Sequence, residues 1–147
     1  VMLGNGIERT FTQNTRGLVE RLRDASWQVV LDETVRYDAN GNPLDVLNAV
    51  PTNAGARRDM QYDGLDRLIA SNVHGLHIEN YRYNALDNIT RRDFFSGGTT
   101  RTDTYGYDAW NRLQSISSPG GVQGFGHDMR GNVSSRLNLS HTYNSAN

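Results

Sequence analysis

The sequence contains no cysteine and only three prolines. The lack of cysteine excludes disulfide bonds, thiolate metal sites and a cysteine nucleophile. It leaves the compartment open, because cytosolic and exported bacterial proteins can both lack this residue. No segment combines a helical stripe of apolar residues with capping residues, and the nearest approach, residues 18–24, is short. We therefore expect little or no helix.

Apolar residues and net charge are also scarce. Hydrophobic residues make up 36% of the chain, and the mean hydropathy is −0.66, which is low for a protein with a large globular core. No apolar run approaches the ~18 residues that a membrane-spanning helix needs. The formal net charge of −1 gives no reason to expect nucleic acid or an anionic membrane as a partner. We predict neither a nucleic-acid partner nor a membrane span.

A seven-residue motif, in contrast, recurs along the chain. Its clearest copy is YDAWNRL at Tyr107–Leu113. Copies begin at residues 13, 37, 62, 83, 107, 127 and 143, at intervals of 16 to 25 residues, and the last of them stops after its fifth residue. A period of roughly 20–50 residues is typical of repeat architectures, in which each copy forms one supersecondary unit.

Each position of this heptad has a physical interpretation. Position one is usually aromatic and the residue two before it is aromatic or apolar, an alternation that predicts a half-buried strand. Position two is Asp or Asn, whose side chains close turns on their own backbone. Position five is Gly, Asp or Asn, the residues that best tolerate positive φ. Position seven is apolar in most copies and starts a return strand.

The heptad therefore predicts a β-hairpin with a tyrosine on its inward face. The residues assigned to this structural role are Tyr37, Asp38, Gly41, Tyr62, Asp63, Asp66, Tyr83, Asn84, Asp87, Tyr107, Asp108, Asn111, His127, Asp128, Gly131 and Tyr143.

A second set of turns is expected about midway between heptads, at residues 24–26, 51–55, 74–75, 96–98 and 118–121. One repeat is then two strands and two turns. Pro43 occupies position seven of its copy and cannot donate a ladder hydrogen bond. We expect its strand to lie at an edge or to start late, at Leu44.

Hairpins of this kind are marginal alone and gain stability by pairing edge to edge. The sequence thus predicts an all-β fold in which residues 1–147 form one array of about six hairpin repeats in a long twisted antiparallel sheet. We expect the array to be open at both ends and to be a fragment of a larger protein. Open edges recruit further strands, so edge-to-edge self-association is a further expectation.

The pattern Tyr-Asp-x-x-Gly/Asn/Asp-Arg/Asn-Leu resembles the YD repeat of the RHS family. This family includes bacterial wall-associated proteins, the shells of insecticidal toxin complexes and animal teneurins. The resemblance runs from about Gln13 to Asn147 and implies that the hairpins form a segment of a spiralling, hollow β-shell. It also implies that the partners are the remainder of the shell and an enclosed C-terminal toxin domain, in a secreted or cell-surface bacterial protein. The family's C-terminal core motif, with an Asp-Pro dipeptide and a self-cleaving aspartate, has no counterpart in the sequence.

Two rows of side chains allow a functional alternative. The tyrosines at position one could form a stacking platform for sugars, but we favour a packed ladder between adjacent hairpins. The aspartates at position two could bind cations, but we favour turns that bond local backbone N–H groups. The primary hypothesis is a structural shell segment that encapsulates or delivers a toxin, and the alternative is a cell-surface adhesion or carbohydrate-binding module.

Other motifs are incomplete. Residues 38–42 resemble the start of a calcium loop, but Pro43 and Ala49 stand where the loop requires Gly and Glu. His74 and His77 lack further ligands nearby. The pairs Arg57–Arg58 and Arg91–Arg92 could line a weak anionic groove, but we favour solvated strand edges. With no nucleophile elbow and no phosphate-binding loop, we predict no catalytic residue, metal or cofactor, and no enzyme.

Overall fold

The computed structural model describes residues 1–50, 57–137 and 139–143. Within these ranges the fold is all-β, and each strand is hydrogen-bonded to the next one in the chain, in a single antiparallel order from β1 to β13. This confirms the predicted fold class. The strands are β1 (Glu8–Gln13), β2 (Val19–Ala25), β3 (Val29–Tyr37), β4 (Pro43–Asn48), β5 (Arg57–Tyr62), β6 (Leu68–Val73), β7 (His77–Tyr83), β8 (Ile89–Ser96), β9 (Thr99–Tyr107), β10 (Leu113–Ser118), β11 (Gly121–His127), β12 (Val133–Arg136) and β13 (Leu139–Ser140).

The chain divides into two compact units, residues 1–79 and residues 80–147. The first unit holds β1 to β6 and the start of β7, and the second holds the end of β7 and β8 to β13. In both units a hairpin closed by a heptad alternates with a hairpin closed by an intervening turn. No helix among the described residues is long and apolar enough to cross a membrane.

A β-bulge accompanies the heptad hairpins, a feature that sequence reasoning missed. In the third copy Tyr62 pairs with Leu68 but Gln61 pairs with Ala70, so Ile69 is the extra residue. The same shift occurs in the copies that begin at residues 13, 37, 107 and 127. A bulge increases local twist and changes the direction of the side chains that follow it. The bulge therefore belongs to the repeated unit.

Strand β10 approaches β9 closely beside the bulge, and this explains why Gly106 stands between Tyr105 and Tyr107. Gly106 pairs with Ser115 on the neighbouring strand. A Cβ atom at Gly106 would lie 2.6 Å from the Ser115 hydroxyl, well inside normal contact distance. Glycine at this position therefore permits the register that the Tyr107 heptad needs.

The prediction for Pro43 was wrong. Pro43 is the first residue of β4 and pairs with Tyr37, and β4 lies between β3 and β5 rather than at an edge. Proline is tolerated as the first residue of a strand. Its carbonyl, the group that proline retains, accepts a hydrogen bond from Tyr62.

The sheet buries very little apolar surface. Among the described residues the only buried hydrophobic side chain is Val50, which is 4% exposed. The other buried side chains are aspartates on the strands: Asp24, Asp32, Asp45, Asp93 and Asp103. Cross-strand hydrogen bonds and paired side chains, rather than a dry core between two layers, therefore hold the described sheet together.

The intervening turns fall where they were expected between β6 and β7, between β8 and β9 and between β10 and β11. The turn expected at residues 24–26 lies two residues later, at 26–28, because Asp24 and Ala25 belong to β2. The turn expected at residues 51–55 lies outside the described residues. Residues 18–24 form no helical turn, because Val19–Ala25 is strand β2.

Candidate functional site

The heptad turn is closed by the side chain at position two. Asp108 Oδ1 accepts hydrogen bonds from the backbone N–H groups of Trp110 and Arg112, each at 2.9 Å. Asn14, Asp38, Asp63, Asn84 and Asp128 make the corresponding bonds in their own copies. An amide oxygen serves as well as a carboxylate oxygen, which explains why both Asp and Asn occur at this position.

Position five has the left-handed conformation that its composition predicted. The non-glycine residues Asp66, Asp87 and Asn111 have φ values of 60°, 62° and 64°. Gly17, Gly41 and Gly131 are also at positive φ. A β-branched residue at this position would be strained.

Position six completes the turn, and sequence reasoning gave it no role. Arg112 Nε donates to Asp108 Oδ2 at 2.7 Å. Arg67 makes the same contact with Asp63 at 2.8 Å, and Asn42 and Asn132 donate from their amide groups to Asp38 and Asp128. The restriction of position six to Arg or Asn in most copies was the signal for this contact.

These contacts lower the pKa of the turn aspartates. The side-chain hydrogen bond from Arg67, opposed by burial, holds the pKa of Asp63 below its usual value. Burial raises the pKa of the Asp108 carboxyl, but hydrogen bonds from the Arg112 backbone and side chain outweigh this effect and lower it. The carboxylates are therefore charged components of the turn at neutral pH.

The position-one tyrosines connect successive repeats. Tyr107 donates its hydroxyl hydrogen to the backbone carbonyl of Ile89 at 2.8 Å, and Ile89 is position seven of the preceding copy. The same bond runs from Tyr37 to Val19 at 2.7 Å, from Tyr62 to Pro43 at 3.1 Å and from Tyr143 to Val133 at 2.9 Å. We call this bond the tyrosine lock.

The tyrosine lock is a contact that sequence reasoning missed, because it considered only the packing of the tyrosine rings between adjacent hairpins. The hydroxyl, not only the ring, is used, and it satisfies a carbonyl of the previous return strand. Burial raises the pKa of both Tyr62 and Tyr107. His127 occupies position one of its copy and has no hydroxyl for this bond.

Further bonds join neighbouring heptad turns within each unit. In the first unit Arg16 Nη1 donates to the carbonyl of Asp38 at 2.7 Å, and Asn40 Nδ2 donates to Asp66 Oδ1 at 2.8 Å. In the second unit Asn88 donates to Asn111, and Arg112 Nη1 donates to the carbonyl of Asp128 at 3.1 Å. Within each unit, side chains of positions four to six thus tie neighbouring heptad turns together.

The strands carry paired charges, and all 15 basic residues of the chain are arginines. Arg9 and Arg21 bind Asp24 and Asp32 through two nitrogens each, and the arginine hydrogen bond lowers the pKa of each carboxyl. Arg36 and Arg57 both contact Asp45. Guanidinium groups suit such two-pronged contacts with carboxylates.

The expectation that the arginine pairs lie at solvated strand edges was wrong. Arg57 lies in β5, between β4 and β6, and binds Asp59 and Asp45. Arg91 lies in β8, between β7 and β9, and binds Asp93. These arginines neutralise carboxylates within the sheet, since an unpaired half-buried charge is costly.

The histidines also contact carboxylates. His74 Nε2 lies 2.5 Å from Asp59 Oδ2, and His77 Nε2 lies 3.8 Å from Glu79 Oε1. In the described parts of the chain no three His, Asp or Glu side chains are grouped in a way that could hold a metal ion.

Comparison with known proteins links this geometry to a family. The RHS repeat family model matches residues 83–123, a stretch that begins at Tyr83 of one heptad and contains all of the Tyr107 copy. No curated protein matches the chain.

Two solved structures share the fold. The pore of the Photorhabdus luminescens Tc holotoxin, in a form mutated in TccC3, is 12% identical over 97% of this chain and 10% of its own, with a TM-score of 0.57. The crystal structure of TcdB2–TccC3–Cdc42 is 15% identical over 96% of this chain and 9% of its own, with a TM-score of 0.64. The chain therefore spans about a tenth of the length of the solved proteins that it matches.

The matched stretch contains two full heptads, left-handed residues at Asp87 and Asn111, and the tyrosine lock of Tyr107. The earlier copies that begin at Tyr37 and Tyr62 have the same features. Residues 83–123 are thus similar to an RHS repeat, and the described chain shares the fold of the two toxin-complex structures.

Proposed function

We propose that this chain is a non-catalytic wall segment of an RHS-type shell that encapsulates or delivers a toxin. The observation that carries the proposal is the tyrosine lock, which joins one hairpin to the hairpin before it through a backbone carbonyl. A bond of this kind can be repeated at any number of junctions, so the array can be extended by adding hairpins.

The distribution of the polar groups supports a structural role. The position-two oxygens are engaged by backbone N–H groups and by position six, and the strand aspartates are engaged by arginine. Side chains that could serve as acids, bases or metal ligands therefore stabilise turns and cross-strand pairs. A half-buried sheet with so little apolar core is suited to form a wall.

The partners in this proposal are the remainder of the shell and an enclosed toxin domain, and the location is the exterior of a bacterial cell or its surface. The chain corresponds to about a tenth of the toxin-complex proteins that it resembles. We propose that a longer polypeptide supplies the remaining wall and the cargo.

Cryo-electron microscopy of the full natural gene product tests this function. We expect a closed β-shell with density in its interior, and a C-terminal segment that resists protease until the shell is opened by denaturant. An open sheet without an enclosed space, or a C-terminal segment cleaved equally fast with and without denaturant, would contradict the proposal.

One observation favours a second candidate, carbohydrate binding. Trp110 is 76% exposed, and the Arg112 guanidinium carbon lies 5.0 Å from the centre of its ring. Trp110, Arg112, His127 and Met129 line a cleft of about 520 Å³. An exposed indole beside hydrogen-bonding groups can stack on a sugar ring while its neighbours contact the hydroxyls.

A glycan array tests the second candidate. Carbohydrate binding predicts saturable affinity that disappears in Trp110→Ala and persists in the matched control Trp27→Ala, whose side chain is 88% exposed. Equal binding by both variants, or no binding by the unmodified chain, would reject this candidate.

A further inference from the structure

The sequence contains two Asn-Gly steps, Asn5–Gly6 and Asn40–Gly41, and both lie in turns of the first unit. In each step the asparagine is exposed and the glycine has a positive φ, 77° at residue 6 and 99° at residue 41. Glycine has no side chain to shield its backbone nitrogen from the side-chain amide that precedes it. An Asn-Gly step is therefore open to attack of this nitrogen on the amide.

The two turns share their backbone hydrogen bonds. In the first turn Leu3 N–H donates to the Ile7 carbonyl at 2.7 Å, and Gly6 N–H donates to the Leu3 carbonyl at 3.0 Å. In the heptad that begins at Tyr37, position two donates to the carbonyl of position six at 2.9 Å, and position five donates to the carbonyl of position two at 3.3 Å. Leu3 thus occupies the place of a position-two residue, but its side chain has no oxygen.

Side chains hold the Asn40–Gly41 step in place. Asp38 Oδ1 accepts a hydrogen bond from Gly41 N–H at 2.8 Å, and it accepts further bonds from the N–H groups on either side of Gly41, each at 2.9 Å. The side-chain amide of Asn40 donates to Asp66 Oδ1 at 2.8 Å. A carboxylate beside an N–H group stabilises its protonated form, so removal of the Gly41 proton is disfavoured.

The Asn5–Gly6 step lacks these contacts. Asn5 Oδ1 accepts a single long bond, of 3.3 Å, from the N–H group of Ile7. Among the described residues, no side chain accepts a hydrogen bond from Gly6 N–H, and no group accepts one from Asn5 Nδ2. The flanking segments meet in an isolated β-bridge, whereas the heptad that begins at Tyr37 joins two strands. The nitrogen and the amide that must meet are therefore less restrained at this step.

We propose that Asn5 is a site of spontaneous deamidation and that the position-two carboxylate protects Asn40 from the same reaction. The backbone nitrogen of Gly6, after losing its proton to hydroxide, attacks Asn5 Cγ. The bond from Cγ to Nδ2 breaks, and Nδ2 leaves as ammonia with a proton taken from water. Water then opens the cyclic imide at either carbonyl and gives aspartate or isoaspartate. The net reaction consumes water and releases ammonia in equal amounts, without oxidation or reduction.

The reaction changes the turn in which it occurs. Both products carry a negative charge that Asn5 lacks, and isoaspartate also adds a methylene group to the backbone between the groups that close the turn. Position two of the heptad thereby has a second role besides closing its turn, because it preserves the amide where Asn precedes Gly. This inference rests on the geometry of the first unit and does not depend on the shell function.

Peptide mapping by mass spectrometry tests the proposal on the whole chain. The chain is incubated at mildly alkaline pH and digested, and the amide-to-acid mass change at both steps is followed over time. We expect Asn5 to react at least about tenfold faster than Asn40, the factor that corresponds to one charge-assisted hydrogen bond. In urea that unfolds the chain, both steps should react at similar rates, since they contain the same residues.

Reciprocal variants exchange the chemistry of the two turns. Leu3→Asp supplies the missing carboxylate and should slow deamidation at Asn5 about tenfold, and Asp38→Leu should accelerate deamidation at Asn40 about tenfold. Asp38→Asn is the matched control, because the Asn84 turn shows that an amide oxygen accepts the same kind of bonds, and it should keep Asn40 slower than Asp38→Leu does. Circular dichroism verifies folding, and Leu3→Asp decides the test if Asp38→Leu does not fold.

Three results would overturn the proposal. The first is an equal rate at Asn5 and Asn40 in the folded chain. The second is a difference between the two rates that persists unchanged in urea, because the fold would then not be its cause. The third is a folded Leu3→Asp variant in which Asn5 reacts as fast as it does in the unmodified chain.

Discussion

The two kinds of turn in this molecule obey different rules. In every heptad turn that the structure describes, five residues separate the strands, as residues 63–67 do between β5 and β6 and residues 108–112 do between β9 and β10. The intervening turns vary: three residues, 26–28, join β2 to β3, and two residues, 97–98, join β8 to β9. Because the heptad turns keep one length, variation in the length of the intervening turns contributes to the uneven spacing of the repeats.

The hydrogen bonds explain this difference. A heptad turn is fixed by its own position-two side chain, and its strands are bonded to the preceding repeat by the tyrosine lock. The turn at residues 97–98 uses two glycines at positive φ and a local bond from Thr99 to the carbonyl of Ser96. Contacts with a neighbouring repeat constrain length and sequence, whereas a locally closed turn needs only to reverse the chain.

The largest effect is expected from acid. Among the described residues, nine aspartates have a lowered pKa: Asp24, Asp32, Asp59, Asp93 and Asp103 on the strands, and Asp38, Asp63, Asp108 and Asp128 in heptad turns. A carboxyl whose pKa is lower in the folded chain contributes stability above its unfolded pKa of about 3.9, and this stability is lost as the pH falls through the folded pKa. We expect cooperative loss of β-structure below about pH 4, measured by circular dichroism.

The Asn84 turn is the internal control for this prediction. Its acceptor is a neutral amide, which binds the N–H groups of Leu86 and Asn88 in the same geometry. As the pH falls, the Trp110 and Arg112 amides should lose protection from hydrogen exchange before the Leu86 and Asn88 amides do. Simultaneous loss in both turns would show that the turn carboxylates do not determine the order of opening.

The next effect concerns the left-handed position of the heptad. Asn111→Val should lower the free energy of unfolding by about 1–2 kcal/mol, because a β-branched residue resists positive φ. Asn111→Gly is the control, since glycine adopts this conformation without strain while also lacking the side chain that bonds to Asn88. Urea titration measures both, and equal losses would assign the effect to the side-chain bond instead of the backbone.

The heptad turn was the most predictable part of the molecule. Alternation before Tyr107, an Asx residue at position two and Gly, Asp or Asn at position five each indicate a local structure, and these local preferences agree with one another. The strand–turn–strand unit, its left-handed residue and the antiparallel order of strands could therefore be predicted without knowledge of distant contacts.

Features that depend on a second repeat could not be predicted in this way. The tyrosine lock joins Tyr107 to Ile89, 18 residues earlier, and the bulge after position seven is defined only by the partner strand. Pro43 was misjudged for the same reason, because a proline's place in the sheet depends on its neighbours.

A smaller effect tests whether the tyrosine lock stabilises the junction between repeats. Tyr107→Phe retains the ring and removes the hydroxyl, so the Ile89 carbonyl loses its partner, and we expect a loss of about 1 kcal/mol. Tyr105→Phe is the matched control, because Tyr105 lies two residues away on the same strand and no tyrosine lock involves it. Its effect should stay within about 0.5 kcal/mol. Equal effects in urea titrations would indicate that the lock contributes no specific stability.

The smallest effect should come from lengthening an intervening turn. Two residues, Pro119 and Gly120, join β10 to β11, and inserting Gly-Ser between them doubles the loop, which costs only about 0.6 kcal/mol by loop-closure entropy. The same insertion between Ala109 and Trp110 would separate Asp108 from the N–H groups that it binds, and should cost at least about 2 kcal/mol through the unsatisfied donors. Urea titrations of the two insertions measure the difference. If both insertions cost the same, the fixed length of the heptad turn would not arise from its hydrogen bonds, and the distinction between the two kinds of turn would lose its physical basis.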